Sequence, residues 1–248
     1  YRTMVTSRRI DDREINLKRQ NKTFFQVSSA GHEAIGVTVA EHTKAGHDWF
    51  FLYYRDRALA LALGQTPLDH FLQARGAAKD GSSGGRQMPG HWGNPSLNIP
   101  TSSSPTGTQF LQAVGAAEAG TKIPNIEGLR EQVLQFEEDE VIIVCTGEGA
   151  TSEGEFWESL NTACNLNLPV VYVVQDNGYA ISVPVEVQTA GGSISNLVSG
   201  FPGLHIVRCD GTDLVDSYRA AGEAVKHTRE QRCPSLIHAS CTRPYSHS

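Results

Sequence analysis

The sequence predicts an α/β domain with a mostly parallel sheet and helices on both faces. Three observations carry that prediction. The runs Val141–Cys145, Val170–Val174 and His205–Cys209 are almost continuously apolar and rich in β-branched residues, as strands are when both their faces are buried. Stretches of helical spacing, Glu153 to Leu166 and about Asp213 to Arg229, alternate with these runs, and strands alternating with helices form parallel sheets covered on both sides. The 248 residues, 39% of them hydrophobic, suffice for one core of ordinary density, so a single domain over 1–248 is expected.

In chain order, Met4 to about Gln20 is charged with apolar residues at helical spacing, and Gly31 to Lys44 and Arg55 to Leu63 also predict helices. Residues 76–107 then lose all periodicity and fill with turn formers. A loop of that length inside a compact domain is usually functional or disordered. A small-residue helix, GTQFLQAVGAAEAG, follows, and a further helix is expected to end near Phe136. From there the strand and helix alternation runs to the end. Ligands of such sheets sit beyond the carboxyl ends of the strands.

Composition narrows the function. A net charge of −6, with Lys and Arg dispersed, leaves no electrostatic footprint for nucleic acid or anionic lipid. No apolar stretch reaches bilayer length and no leader is evident, which predicts a soluble protein. The chain opens at Tyr1 rather than Met and stops at Tyr245-Ser246-His247-Ser248, so both ends are expected to be truncated. Five cysteines, none in C-x-x-C and most inside apolar runs, read as buried reduced thiols in a reducing compartment. His32, His42, His47 and His70 lack zinc-like spacing and read as surface or packing residues. With no G-x-x-x-x-G-K-[ST], and no G-x-G-x-x-G after a strand, P-loop and dinucleotide folds lack their phosphate loops.

The chemistry concentrates in TGEGATSEGEFWESLNTACNLNLPVVYVVQDNGYAIS, from Thr146 to Ser182. Glu148 stands between two glycines where the first strand ends, at the carboxyl edge of the sheet. Gly147 and Gly149 would let the backbone turn and a ligand approach. Ser152 with Glu155 reads as a capping box starting the next helix, whose free amides suit phosphate oxygens. An acid there would repel phosphate unless a divalent cation lay between them, and Mg²⁺ takes one or two protein oxygens together with phosphate oxygens. The next strand ends at Gln175, so a parallel neighbour would bring the Asn177 amide oxygen and a turn carbonyl beside Glu148. Taken singly, GEG and DNG are plain turns; joined by a strand-helix-strand unit they read as one metal site.

G-[DE]-G followed by 26 residues (150 to 175) and then [DN]-N resembles the thiamine diphosphate and Mg²⁺ motif of transketolase-like enzymes. The wording around it is similar to the alpha chain of the thiamine-dependent decarboxylase component of branched-chain 2-oxoacid dehydrogenase complexes, and the resemblance covers nearly the whole chain. It implies a three-layer transketolase-like fold. Glu148, Asn177 and the Tyr179 carbonyl would ligate Mg²⁺, and Gly149, Ala150 and Gln175 would line the diphosphate. Glu148 stands where many thiamine enzymes have Asp, and Gln175 where some relatives have Arg. Tyr54 and Arg55 of YYRDR resemble the family's Tyr-Arg pair on the diphosphate. In SSSPTGTQ, Ser104 and Thr106 would contact the cofactor, while Ser103, the Pro105 carbonyl, Thr108 and Gln109 would hold K⁺. GGRQMPGHWG is similar to the RQMP-x-H-x-G of enzymes acting on branched-chain 2-oxoacids, with Tyr53 and His91 near the substrate. TRPYSHS resembles the start of the phosphorylation loop, where His247 would be the active-site histidine and Ser248 the serine modified by a kinase.

The implied activity is oxidative decarboxylation of a branched-chain 2-oxoacid with acyl transfer to a lipoyl group. The pyrimidine-binding half of the site is absent from the sequence and is expected from a beta chain or fused beta domain, with a lipoyl-bearing acyltransferase as the next partner. A heterotetramer or a dimer of fused chains would result, in the cytoplasm of a bacterium or the mitochondrial matrix of a eukaryote. A pyruvate or acetoin dehydrogenase alpha chain, or a non-catalytic cofactor-binding subunit, remains open as an alternative.

Overall fold

A computed structural model describes residues 1–133 and 136–248. Helices α1 (Arg2–Arg19) and α2 (Glu33–His42) lead to strand β1 (Trp49–Phe51), followed by α3 (Arg57–Leu63), α4 (Pro67–Ala74) and, after the long loop, α5 (Thr108–Lys122). Strand β2 (Ile142–Gly147), α6 (Gly154–Leu166) and β3 (Val170–Asp176) form the strand-helix-strand unit. A small hairpin of β4 (Tyr179–Ala180) and β5 (Val183–Pro184) and the one-turn helices α7 (Val185–Gln188) and α8 (Ile194–Leu197) come next. Strand β6 (His205–Asp210), α9 (Leu214–Gln231) and β7 (Ser235–Ser240) complete the chain's regular elements.

Five strands form one parallel sheet in the order β1-β2-β3-β7-β6. Register aligns Gly147 with Gln175 and Asp176 with Ser240, so the segments leaving β2, β3 and β7 emerge side by side at one edge. Alternate side chains enter two separate cores. Ile143, Cys145, Val171, Val173 and Ile237 meet Ile35, Leu59 and Ala221 of α2, α3 and α9, whereas Ile142, Val144 and Tyr172 meet Phe110 of α5 and Phe156 and Leu160 of α6. Both faces are therefore covered, which is why these strands read as unbroken apolar runs. Among the described residues, no helix is long and apolar enough to cross a membrane.

The N-terminal helix is tied to the domain by charge. Buried Arg57 on α3 bonds the Asp11 carboxylate and, at 2.5 Å, Glu14 of α1. Burial pushes the Glu14 carboxyl up to about 7, against the pull of Arg57. The second oxygen of Asp11 accepts from the Ser28 hydroxyl (2.8 Å) and the Ser29 amide (2.9 Å), fixing the loop that delivers His32 to the sheet edge.

Several elements differ from expectation. Among the described residues the further helix before Phe136 does not appear: Ile123–Asn125 is one 3₁₀ turn and bends and turns continue through Gln132, while Leu134 and Gln135 lie outside the described residues. Pro124 has no N–H to donate to a helix ladder. Strands β1 and β7 and helix α4 were not anticipated. Strand β1 has three residues, and β7 dilutes its apolar signal with Ser235, His238 and Ser240. For α4 a signal existed: Thr66 and Asp69 form a reciprocal capping box with Pro67 at the first helical position.

Candidate active site

A cavity of about 300 Å³ opens at the carboxyl edge of β1, β2 and β3. Its walls are the segments leaving those strands (Leu52–Arg55, Thr146–Ala150, and Asn177 with Tyr179–Ile181), the long loop at Gly90, His91 and Ser102–Gly107, and His247 from beyond β7. Of the expected site residues, the structure brings Tyr53, Tyr54, Arg55, His91, Ser103, Ser104, Pro105, Thr106, Gln109, Glu148, Gly149, Ala150, Asn177, Tyr179 and His247 to this cavity. Gln175, Thr108 and Ser248 do not line it. Exposed Ser248 ends the chain.

Glu148 is 1% exposed. Its Oε2 accepts the Asn177 amide N–H at 3.2 Å, but its Oε1 has no partner, and neither does the buried Oδ1 of Asn177. Burial, with the neighbouring charge of Asp176 adding to it, raises the Glu148 carboxyl above its ordinary range; amide hydrogen bonds oppose this. Each unpaired buried acceptor costs roughly 1–3 kcal/mol, and a cation shared by the two would offset both costs. One carboxylate and one amide oxygen are hard donors suited to Mg²⁺ completed by phosphate oxygens. Among the described residues, no group of three or more His, Cys, Asp or Glu could hold a metal. The Tyr179 carbonyl, the third expected ligand, accepts from Arg243 Nη1 at 3.3 Å.

The backbone around Glu148 differs from the sequence reading. Glu148–Ser152 is a 3₁₀ turn, and α6 starts at Gly154 with Glu153 as its N-cap and no side-chain cap bond. Ser152 does not form the expected box. Its hydroxyl accepts from Gln188 Nε2 (2.8 Å), which also donates to the carbonyls of Glu148 and Gly149 at 3.0 Å each. A Cβ at Gly149 would lie 2.8 Å from that of Ala180, so on that side the glycine admits the hairpin rather than a ligand.

Arg55 is 2% exposed and bridges two carbonyls, Nη1 to Ser28 (2.5 Å) and Nη2 to His247 (3.3 Å), with its guanidinium 5.1 Å from the centre of the Tyr54 ring. The Tyr54 hydroxyl lies 3.3 Å from His247 Nε2. Burial, then the charges of Arg55 and Arg243, lower the His247 pKa and favour the neutral ring. The segment carrying His247 is held in turn by Cys241 N–H on the Asp176 carbonyl (2.6 Å) and by Arg243 Nη2 on the Ile181 carbonyl (2.6 Å). His91 places Nδ1 3.1 Å from the Met88 carbonyl and Nε2 3.1 Å from the Ser104 hydroxyl. In the set expected for K⁺, Thr108 Oγ1 donates to the Pro105 carbonyl (2.9 Å) and Gln109 Nε2 to the Cys145 carbonyl (3.3 Å).

Behind the cavity runs a buried network that sequence reasoning missed. His32, read as a surface or packing residue, sets Nδ1 2.9 Å from Gln175 Oε1, and Gln175 Nε2 donates to Asp56 Oδ1 at 2.6 Å. Gln175, expected on the diphosphate, thus spends both ends of its amide inside the protein. Burial, reinforced by the charge of Arg55, drives His32 down to about 3, and burial pushes Asp56 up to about 7. On the other flank, His238 bridges Ser195 (2.7 Å) and Asp176 Oδ2 (2.9 Å), and Asp176 Oδ1 accepts the Gly178 N–H (2.9 Å) that closes the DNG turn.

The dehydrogenase E1 component model matches residues 1–248. The chain belongs to the dehydrogenase E1 component family. It is 38% identical over its full length to the 2-oxoisovalerate dehydrogenase subunit alpha of Bacillus subtilis, covering 71% of that protein. It is 34% identical to the 3-methyl-2-oxobutanoate dehydrogenase subunit alpha of Mycobacterium tuberculosis, covering 61%, and 32% identical to the mitochondrial 2-oxoisovalerate dehydrogenase subunit alpha of Homo sapiens, covering 52%. This E1 component chain thus spans about half the length of its mitochondrial relatives. Transketolase from Campylobacter jejuni superposes on 96% of the chain with a TM-score of 0.65 at 17% identity, covering 37% of the transketolase. The fold is transketolase-like, as the motif resemblance implied.

Proposed function

We propose that the cavity binds thiamine diphosphate through a divalent cation, and that the chain serves as the diphosphate-binding alpha part of a branched-chain 2-oxoacid dehydrogenase. The observation that carries this reading is the pair of buried unpaired oxygens, Glu148 Oε1 and Asn177 Oδ1, at neighbouring strand ends of one cavity. Glu148 and Asn177 would hold Mg²⁺, with the Tyr179 carbonyl close by. Tyr54, Arg55, Ser104, Thr106, Gly149 and Ala150 would face the diphosphate, and Ser103, Pro105, Thr108 and Gln109 would form a K⁺ site beside it. When bound, the cofactor supplies the electron sink that 2-oxoacid decarboxylation needs.

The chain's own residues then have definable tasks. Arg55 presents fixed positive charge in a buried setting, where it acts more strongly than in water. His247 offers a neutral ring nitrogen that exchanges a hydrogen bond with the Tyr54 hydroxyl, a place to hold or accept a proton at Nε2. Tyr53 and His91 border the space left for the substrate. The relatives' names, together with RQMPGHWG, favour a branched acid such as 3-methyl-2-oxobutanoate over pyruvate. A beta chain or fused beta domain would complete the site, a lipoyl-bearing acyltransferase would take the acyl group, and Ser248 would be the site of kinase control where one exists. Cytoplasm or mitochondrial matrix would be the location, according to the host.

The test is a comparison of kcat/KM for 3-methyl-2-oxobutanoate and pyruvate in the assembly reconstituted with its beta part, alongside a Glu148→Gln variant. Preference for the branched acid, and loss of Mg²⁺-dependent thiamine diphosphate binding in Glu148→Gln, are expected. Pyruvate preference would overturn the substrate assignment, and unchanged cofactor binding in the variant would overturn the metal site.

A further inference from the structure

We infer that His32 and Gln175 are positioning residues that set which end of the Asn177 amide faces the cavity, through a hydrogen-bond relay beginning at Asp56. The proposal rests on the reading of Glu148 and Asn177 as cation ligands.

An asparagine amide can present either its oxygen or its NH₂, and only the oxygen can ligate a cation. The relay decides between them. Asp56 Oδ2 accepts the backbone N–H of Tyr53 at 2.7 Å, a donor that cannot be reversed. Ionised above its pKa of about 7, the carboxylate can only accept, and its Oδ1, 2.6 Å from Gln175, then selects the NH₂ end of that amide. The Gln175 oxygen is therefore turned to His32 Nδ1 at 2.9 Å and requires the proton to sit on Nδ1, with the Tyr53 hydroxyl oxygen 3.3 Å from the same nitrogen. Nε2 of the neutral ring is then a lone pair. It lies 3.4 Å from Asn177 Nδ2 and accepts that NH₂, so Oδ1 is turned away from His32 and stays buried without a partner, in a residue that borders the cavity. Inverting any link would set two donors or two acceptors face to face in a buried site, where a mismatch is costly. The arrangement resembles the outer hydrogen bonds that fix metal-binding side chains elsewhere, here acting two residues removed from the ligand.

The test uses the assembly with its beta part and measures Mn²⁺ affinity by electron paramagnetic resonance in the presence of thiamine diphosphate, with thermal midpoints without metal as a control. His32→Asn keeps a donor at the Nδ1 position and loses the acceptor at Nε2, whereas His32→Gln can place an amide oxygen where Nε2 stands. His32→Asn and Gln175→Leu are expected to weaken Mn²⁺ binding by roughly 10- to 100-fold, and His32→Gln, which restores the acceptor toward Asn177 but not the donor toward Gln175, to fall between His32→Asn and wild type. Gln175→Leu reports on the same relay from a second position should His32→Asn fail to assemble. Wild-type affinity in both weakening variants, or equal loss in His32→Gln and His32→Asn, would overturn the relay. If the wild type showed no cofactor-dependent Mn²⁺ binding, or Glu148→Gln bound as tightly as wild type, the cation site itself would fall and the relay with it.

Discussion

Replacing Gly31 by alanine should separate cofactor binding from turnover. Gly31 lies at φ +86°, in the left-handed region, and a Cβ there would sit 2.0 Å from the Thr242 carbonyl oxygen and 2.6 Å from its hydroxyl. The conformation alone costs alanine roughly 1–2 kcal/mol. The contact is worse, because the obstacle is backbone: Thr242 must retreat by about 1 Å before the Cβ distance reaches even 3.0 Å. Thr242 sits between Cys241 and Arg243, whose bonds to the Asp176 and Ile181 carbonyls hold the segment bearing His247. Each of those bonds contributes about 1 kcal/mol net, too little to resist such a clash. A displacement near 1 Å at a reacting group can lower the rate by about 100-fold. Gly31→Ala should therefore lose kcat/KM on the order of 100-fold while Mn²⁺ and thiamine diphosphate affinity changes less than about tenfold. Steady-state decarboxylation with an artificial acceptor, run beside the metal titration, measures both. Wild-type kcat/KM would refute the reasoning, as would a loss of affinity as large as the loss of rate.

Gly115 is the converse case: it lies exposed within α5 and an added Cβ meets nothing within 4 Å. Gly115→Ala should stabilise by about 0.5–1 kcal/mol, read as a rise in Tm with activity unchanged. His70 is 2% exposed, stacks edge-on against Trp92, and neither ring nitrogen has a partner. Burial, with the charge of Arg57, holds its pKa well below the ordinary value. The unfolded chain therefore gains a proton that the native state refuses, and stability falls as pH drops below about 6.5, by up to about 1.4 kcal/mol per pH unit. His70→Phe should flatten the Tm profile between pH 7 and pH 5, and an unchanged slope would assign the acid sensitivity elsewhere.

The layered sheet was legible because burial of both faces leaves a mark that any single sequence carries: unbroken apolar runs at Val141–Cys145 and Val170–Val174. The placement of Glu148 and Asn177 at the sheet edge was legible for a similar reason, since each lies three residues past the end of such a run. Apart from α4, whose capping box is local, much of what escaped depended on contacts between distant segments. His32 has no spacing that announces it; the Arg57 ties to α1, the Asp11 bonds to Ser28 and Ser29 and the Arg55 bond to the Ser28 carbonyl bring its loop to the edge of the sheet. The apparent capping box at Ser152 failed because Ser152 closes a 3₁₀ turn and Glu153 is the N-cap of α6; the serine hydroxyl accepts instead from Gln188, 36 residues later.

Gln175 shows how far periodicity reaches and where it needs a partner. Successive side chains of a strand point to opposite faces, so Gln175 shares its face with Val171 and Val173, which pack in the core under α2 and α3. Parity alone turns it toward His32 and Asp56. The sequence holds that parity in plain view, but it cannot say which face of β3 receives α2, because that follows from the order β1-β2-β3-β7-β6 and from the side to which each crossover returns. Once that side is known, a glutamine at the end of a buried strand with its amide turned away from the ligand is the expected outcome. A buried amide must have both its ends satisfied, and Asp56 and His32 are the groups that satisfy them. The residue one position outside the strand's last pair, Asn177, is then left as the nearest side chain free to meet a ligand. The strand thus uses its last inward-facing position, Gln175, to bond His32 and Asp56, and the side chain at position 175 does not line the cavity.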